Sequence, residues 1–386
     1  MKKIMPLLLC TLMLTALFAG CSGQEASPPP PAGAATTESA LSGTASPANL
    51  SSGTAPAGAR PEAGPVKRIA VVCDPVGVNP FLTQVVDKFA EVKASGAYPM
   101  EYSVMECTDN AAWAENIRAS VEEGYDLIVA VGWMGADTLD EVASRFPDKA
   151  QYVCIDTVCD NPRVKSFIFR PQEAAYLVGV VAGGVSRDAG KAGGPYGAVH
   201  ANPGPGSFEW RYGYMEGVKR VNPEVTNDAF LFNYTRSYTD APAAKELALQ
   251  QAAQGCVFIN AASAVADFGT FEAALEKGFY TSGQDADRTS PDNPNIITTQ
   301  VKYTGVVAGM VIDEFFATGI RPGVVKLGLA DGAVGAIYIT DDGVNPRNAA
   351  VLTDEILAEA RKAKDDIISG RLDLTVPLED DYFAAQ

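Results

Sequence analysis

The sequence predicts an α/β fold of two lobes, each a mostly parallel sheet with helices on both faces. From Lys67 onward, apolar runs of strand length alternate with segments of helical spacing. The strands are continuous apolar runs, which is typical of parallel sheets that are buried on both faces. The alternation begins a second time near residue 173, which indicates a second lobe of similar size.

The first series of elements forms the N-terminal lobe, which we predict to comprise residues 67–170 and 301–322. Its predicted strands are residues 68–73, 101–107, 126–131, 151–155 and 165–169. Its predicted helices are residues 81–92, 111–121 and 136–146, followed by Pro147. A later predicted helix, residues 306–316, lies in the segment 303–318, which is expected to return to this lobe.

The second series forms the C-terminal lobe, predicted to comprise residues 171–300 and 323–386. The predicted helices are residues 173–185, 208–221, 243–253, 271–276 and 352–369. The predicted strands are residues 196–201, 229–233, 257–260, 280–285 and 296–302. Residues 324–339 have the pattern of a hairpin.

Residues 1–20 have the pattern of an export signal. Lys2 and Lys3 precede an apolar run over 4–18 that is shorter than the roughly 20 residues of a spanning helix. Ala19-Gly20-Cys21 resembles a bacterial lipobox, although Phe18 stands where that pattern prefers a smaller aliphatic residue. We therefore expect Cys21 to be lipidated and to anchor the protein at the extracytoplasmic face of a cell membrane.

Residues 21–66 contain almost only Ala, Gly, Ser, Thr and Pro after the cysteine. Such a composition buries too little apolar surface to offset its ordering entropy, so we predict a disordered tether. Its typical span is about 35 to 40 Å, which leaves the lobes free to reorient near the membrane.

Composition excludes several classes of protein. The chain has 47 acidic and 30 basic residues and a net charge of −17, without a basic stripe. Nucleic acid is therefore not an expected partner, because phosphate neutralisation provides most of that affinity. His200 is the only histidine, which excludes a multi-His zinc site and leaves one candidate catalytic base. We expect no enzyme activity, cofactor or metal, and a surface or pocket-rim position for His200.

The cysteines of the two lobes are odd in number and show no CxxC spacing. They are Cys73, Cys107, Cys154, Cys159 and Cys256. We expect them to be small buried hydrophobic residues, with a Cys154–Cys159 bridge as the alternative.

Ligands of open α/β sheets bind outside the carboxyl ends of the strands, so residues at those ends are candidate contacts. Asp74, Asp156 and Asp285 each end or follow a predicted strand. Their carboxylates would accept hydrogen bonds from ligand hydroxyl or amino groups. The alternative for each is a helix N-cap or an Asx-turn.

Other candidates follow the same logic. Phe81, Trp133 and Tyr238 could sandwich a flat ring, although Phe81 could instead belong to the core face of its helix. Ser263 follows a strand, and Lys302 could donate to a ligand hydroxyl or pair with Asp285.

Several stretches resemble the basic membrane protein family of bacterial substrate-binding lipoproteins. The matching stretches are YDLI at 125–128, VG at 131–132, AD at 136–137, FP at 146–147, ID at 155–156, Phe169 with QEAAYLVG at 172–179, GYMEGVKRVNP at 213–223 and KELA at 245–248. They cover about residues 68–335 in the family's order. The resemblance implies a type I periplasmic-binding-protein fold.

The resemblance also implies roles for individual residues. The family's first-strand aspartate falls on Asp74, and its second aspartate, which ends the fourth strand, falls on Asp156. Its stacking aromatics fall on Phe81 and Tyr238, its ribose-binding aspartate on Asp285 and its lysine on Lys302. Departures are Pro80-Phe81-Leu82 where the family has Ser-Phe-Asn, a loop before Phe81 that is two residues short, and Ser263 near a family glycine. The amide that would read the base is missing, with Asn79 or Trp133 as possible substitutes.

By resemblance, we expect a monomeric, membrane-anchored receptor that delivers a purine nucleoside or related purine to an ABC transporter permease. One alternative is a sugar or autoinducer receptor of the same fold, since Asn79-Pro80-Phe81 also resembles sugar-binding relatives. The other is a surface lipoprotein that acts in signalling or adhesion.

Overall fold

The computed structural model describes residues 64–77 and 79–384, which form two six-stranded sheets. The predicted signal, Cys21 and most of the predicted tether lie outside the described residues. The predicted fold class, two mostly parallel sheets with helices, is confirmed. Within the described part of the chain, no helix combines the length and the apolar character needed to cross a membrane.

The first sheet is parallel throughout, in the order β11-β5-β4-β3-β1-β2. Its strands are β1 (Lys67–Cys73), β2 (Met100–Glu106), β3 (Leu127–Val131), β4 (Gln151–Ile155), β5 (Val164–Phe169) and β11 (Gly323–Leu327). Helices cover both faces. They are α1 (Pro80–Ser95) and α8 (Thr304–Thr318) on one face, and α2 (Asn110–Glu122) and α3 (Ala136–Arg145) on the other.

The second sheet has the order β12-β10-β9-β8-β6-β7, and only the β10–β12 pair is antiparallel among its described strands. The strands are β6 (Tyr196–His200), β7 (Phe230–Tyr234), β8 (Phe258–Ala262), β9 (Tyr280–Asp285), β10 (Ile296–Lys302) and β12 (Val334–Ala336). Its helices are α4 (Pro171–Asp188), α5 (Pro205–Val221) and α9 (Asp354–Ile368) on one face, α6 (Ala241–Ala253) and α7 (Asp267–Lys277) on the other, and α10 (Glu379–Ala384) against α5.

The prediction of a hairpin over 324–339 is wrong. β11 pairs with β5 in the first sheet, while β12 pairs with β10 in the second. The predicted lobe boundary at residue 323 therefore separates β11 from the sheet to which it belongs. Two short strands close together in sequence have the pattern of a hairpin, and only their tertiary partners show that the chain crosses between lobes here.

The chain crosses between the sheets three times, after β5, after β10 and after β11. These crossings are joined by hydrogen bonds. The Arg170 amide donates to the Leu327 carbonyl at 2.8 Å, and the Leu329 amide donates to the buried Glu173 carboxylate at 2.7 Å. Glu173 also pairs with Arg170 at 2.9 Å. Any movement of one lobe relative to the other must therefore act on these connected segments.

Two of the stretches that carry the family resemblance, QEAAYLVG and GYMEGVKRVNP, lie on α4 and α5 and pack against each other. Their glycines allow the two backbones to approach closely. A Cβ atom at Gly213 would lie 2.1 Å from the carbonyl oxygen of Gln172, and one at Gly217 would lie 2.1 Å from that of Tyr176. Since both obstacles are backbone atoms, these positions exclude any side chain.

The five cysteines of the described lobes are buried and free. Burial raises the pKa of Cys154 to about 12 and that of Cys159 to about 11. The expectation of small buried hydrophobic residues is confirmed, and the Cys154–Cys159 bridge is not formed.

Gly213→Ala should destabilise the protein by about 3 kcal/mol or more, because the helices would have to separate. Gly206→Ala is the matched control, since it lies on the same helix and a Cβ there would have no atom within 4 Å. Urea unfolding measures both variants, and equal stabilities would contradict the close-packing account.

Candidate functional site

The carboxyl ends of the two sheets carry the predicted carboxylates. Asp156 directly follows β4 and Asp285 ends β9, and both have left-handed backbone conformations, with φ of 76° and 69°. Such angles are uncommon for residues other than glycine and cost about 1 to 3 kcal/mol. The chain thus adopts an unfavourable backbone at two strand ends where a ligand of this fold would bind.

Lys302, the last residue of β10, pairs with Asp156 across the two lobes. Its Nζ lies 2.7 Å from Asp156 Oδ1, and both side chains are mostly buried. Burial opposes the charge on Lys302, but the carboxylates of Asp156 and Asp285 more than compensate and raise its pKa. The structure therefore pairs Lys302 with Asp156, and the alternative pairing with Asp285 is not observed.

Three aromatic rings surround the Lys302 ammonium. The Nζ atom lies 5.4 Å from the ring centroid of Phe169, 5.5 Å from Trp210 and 5.7 Å from Phe81. Cations are attracted to ring faces at such distances, most strongly where water is excluded. Phe81 belongs to the first lobe and Trp210 to the second, so the ammonium lies between rings of both lobes.

Asp285 is 6% exposed, and its carboxylate has no hydrogen-bond or ion-pair partner among the described residues. Burial raises its pKa to about 6; the Asp156 carboxylate adds to this rise, whereas Lys302 and Arg288 oppose it. A buried polar group without a partner is costly to the free protein. The carboxylate is therefore available to accept hydrogen bonds from a ligand.

Gln84 of α1 connects the first lobe to this edge of the second. Its side-chain amide donates to the carbonyl oxygens of Asp285 at 2.9 Å and Lys302 at 3.2 Å. The contact fixes the backbone of both residues relative to α1. The sequence motifs contain no sign of this role, because a glutamine in the second turn of an amphipathic helix resembles any half-exposed residue.

The remaining predicted contacts occupy different environments. Trp133 is 63% exposed and Tyr238 49% exposed, and neither makes a ring contact within the described chain. Ser263 is buried, and its hydroxyl donates to the Val199 carbonyl at 3.2 Å, so that hydroxyl is engaged inside the lobe. Asp74 accepts a hydrogen bond from the Trp113 indole at 3.1 Å.

The structure brings Phe81, Asp156, Asp285 and Lys302 together and leaves Trp133 and Tyr238 on the exposed surface. Asn79, a possible substitute for the missing base-reading amide, uses its side-chain oxygen to cap α1 at the Phe81 amide, at 3.1 Å. Its amide nitrogen makes no hydrogen bond within the described chain.

The expectation that His200 lies at the surface or pocket rim is wrong. His200 ends β6 and is buried, with Nδ1 3.1 Å from the Ser207 hydroxyl. Burial, together with the positive charge of Arg211, lowers its pKa to about 3. The glycines and prolines that follow it suggest a loop, but the strand continues to His200 before the chain turns.

Comparison with known proteins gives a family match over most of the lobes. A family described as "ABC transporter substrate-binding protein PnrA-like", Bmp, matches residues 78–376. Basic membrane protein A1 of Borrelia garinii is 27% identical over 64% of this chain and 72% of its own length. An uncharacterized lipoprotein of Pyrococcus furiosus is 29% identical over 57% of this chain, and the match spans only 56% of that relative.

Solved structures share the fold. A solute-binding protein of an Aeropyrum pernix ABC transporter system has a TM-score of 0.68 at 23% identity, and the match covers 83% of this chain and 96% of that one. A corresponding protein from Conexibacter woesei has a TM-score of 0.63 at 20% identity, with coverage of 80% and 98%. At these identities the likeness establishes the fold alone.

Asp285→Asn should stabilise the unliganded protein at pH 7.5, by at most about 3 kcal/mol, because the buried charge is removed. The folded-state pKa of Asp285 lies above its unfolded-state value, so the ionised carboxylate lowers stability above pH 6. The gain should disappear as the pH falls from 6 to about 4.

Thermal unfolding across this pH range measures the effect, with Asp292→Asn as the control for an exposed carboxylate of the same lobe. A destabilised Asp285→Asn protein at pH 7.5 would contradict the unpartnered state of the carboxylate.

Proposed function

We propose that this chain, which belongs to the Bmp family of PnrA-like ABC transporter substrate-binding proteins, binds a purine nucleoside or related purine between its lobes. The family is one of substrate-binding proteins, so we further propose that the chain catalyses no reaction. Its partners would be a small molecule and an ABC transporter permease. A monomer is sufficient for this role.

The observation that carries the proposal is the unpartnered, buried carboxylate of Asp285 next to the Lys302–Asp156 pair. A vicinal diol presents two hydroxyl donors, and a carboxylate can accept both. Charge-assisted hydrogen bonds of this kind are stronger than neutral ones. The ligand would thus supply the hydrogen bonds that Asp285 lacks in the free protein.

The aromatic residues support a flat ring as the second part of the ligand. Phe81 lies beside Lys302, while Tyr238 is half exposed on the other lobe. Closure of the lobes would bring the two faces towards one ring, and stacking contributes roughly 1 to 3 kcal/mol per base. Asp74 and Asp156, onto which the family's two strand-end aspartates fall, would also contact the ligand.

We also propose that closure bends the three connected crossings and that Cys21 anchors the protein to the extracytoplasmic face of the cell membrane. The hydrogen bond that joins two crossings at Glu173 and the cross-lobe hydrogen bonds of Gln84 would limit the range of the motion. The anchoring is supported by the lipobox-like sequence and by relatives named as lipoproteins. A tethered receptor of this kind would release its ligand to a permease in the same membrane.

Asp285→Ala should weaken nucleoside binding by more than tenfold, since the ligand hydroxyls lose their charged acceptor. Isothermal titration calorimetry with inosine, guanosine and adenosine measures the affinity. Asp292→Ala, which removes an exposed carboxylate of the same lobe, should bind as the wild type does. An unchanged affinity of Asp285→Ala would remove Asp285 from the site, and binding of pentoses but not nucleosides would favour a sugar receptor.

Ligand binding should shift the tryptophan emission to shorter wavelength, because closure would bury the 63% exposed Trp133. Trp113 and Trp210 are already buried and should contribute little to the change. Trp133→Phe should abolish the shift while ligand is still bound in calorimetry. A shift that persists in this variant would show that Trp133 does not report on closure.

A further inference from the structure

Two carboxylates lie near Lys302, and the lysine pairs with only one of them. In the sheet of the second lobe, Val301 of β10 lies beside Asp285 of β9, so Lys302 and Asp285 occupy neighbouring strand ends. Their carbonyl oxygens accept hydrogen bonds from the same Gln84 amide, at 3.2 Å and 2.9 Å. The Lys302 ammonium nevertheless extends to the first lobe, where it lies 2.7 Å from Asp156 Oδ1.

Charge alone does not select Asp156 as the partner. Burial opposes the charge of Lys302, whereas Asp156 and Asp285 both favour it, and the net effect raises its pKa. The Asp285 carboxylate is buried and has no hydrogen-bond or ion-pair partner among the described residues, so it would gain from pairing with its neighbour. A further contact must therefore hold the ammonium on the side of Asp156.

Aromatic rings provide that contact. Their centroids lie 5.4 Å from Lys302 Nζ for Phe169, 5.5 Å for Trp210 and 5.7 Å for Phe81. Ring faces attract a cation most strongly where water is excluded, and Phe169 and Trp210 are each only 6% exposed. An ammonium that turned towards Asp285 would leave this position and lose part of that attraction.

Trp210 differs from the other two rings in the lobe to which it belongs. Phe81 lies in the first turn of α1 and Phe169 ends β5, so both belong to the first lobe, as Asp156 does. Trp210 lies on α5 of the second lobe, which also contains Lys302. A movement of the lobes would change the distance from Lys302 to the first-lobe groups, whereas Trp210 would stay beside the lysine.

We propose that Trp210 is a positioning residue: its indole keeps the Lys302 ammonium directed at Asp156. The neighbouring carboxylate of Asp285 then stays unpaired and can accept hydrogen bonds from a ligand. For ligand binding the inference rests on the proposed function, because it explains how the proposed acceptor is kept available. The pairing itself is a property of the unliganded protein and can be measured without a ligand.

A double-mutant cycle in thermal unfolding at pH 7.5 tests the pairing. With Trp210 present, Asp156→Asn should lower the melting temperature by about 2 °C or more, because it removes the partner of a buried ammonium. Asp285→Asn should raise the melting temperature, because it removes an unpaired buried charge. In Trp210→Leu the ammonium can turn to Asp285, so both effects should shrink to about half or less.

Equal effects of the two aspartate variants in both backgrounds would overturn the proposal, and so would a fall caused by Asp285→Asn when Trp210 is present. Trp210→Phe keeps a ring beside the ammonium and should retain most of both effects. Tyr212→Leu is the matched control for the loss of a ring from α5, since the Tyr212 ring packs on Tyr382 with centroids 5.4 Å apart. Both effects should keep their full size in that control.

A second measurement applies if Trp210→Leu does not fold. Fluorinated tryptophan is then incorporated throughout the chain, because fluorine weakens the negative ring face while the shape of the ring is nearly kept. The effects of Asp156→Asn and Asp285→Asn should shrink on fluorination when residue 210 is tryptophan and should not change in the Trp210→Phe protein. Effects that fluorination leaves unchanged in both proteins would overturn the proposal.

Inosine binding, measured by calorimetry, connects the pairing with the proposed function. Trp210→Leu should weaken inosine binding by about tenfold or more, because the Lys302 ammonium then competes for the Asp285 carboxylate. In Lys302→Met, which has no ammonium to compete, the same change should have less than about a twofold effect. Equal losses in both backgrounds would show that Trp210 acts by packing alone and would overturn its positioning role. If no nucleoside binds the wild type, the proposed function fails, while the stability measurements still decide the pairing.

Discussion

The ion pair between Lys302 and Asp156 is the interaction on which the arrangement of the site depends. It joins the end of β10 in the second lobe to the end of β4 in the first, and it does so between rings of both lobes. A buried ammonium needs a counter-charge, because the cost of removing it from water is several kcal/mol. Asp156 satisfies that need, and Asp285 is left as a buried carboxylate without a partner in the described chain.

This division of roles gives the site its chemical character. One carboxylate holds the lysine, and the other has no hydrogen-bond or ion-pair partner among the described residues, so it remains able to accept hydrogen bonds. Under the proposed function, a neutral ligand rich in hydroxyl groups would donate hydrogen bonds to this second carboxylate. The strained backbone at Asp156 and Asp285 holds both carboxylates at the strand ends.

The predicted elements follow the observed ones closely because parallel strands covered on both faces are apolar along their whole length. The same pattern predicts Asp74, Asp156 and Asp285 at strand ends. It does not predict Trp210 or Gln84, since each lies in a helix whose periodicity is fully explained by packing. Ser263 is predicted as a ligand contact because it follows a strand. Its position after the strand is as predicted, but its hydroxyl donates to a carbonyl of a neighbouring strand.

The sequence by itself determined the α/β class, the two series of elements, the cysteines as buried residues and the strand-end carboxylates, because local periodicity and strand ends are properties of contiguous residues. Only the tertiary structure decided that β11 and β12 belong to different sheets, that Lys302 pairs with Asp156, and that His200 is buried. Each of these depends on which segment, distant in sequence, lies next to the strand or residue concerned. Packing and charge in the folded chain determine that neighbour.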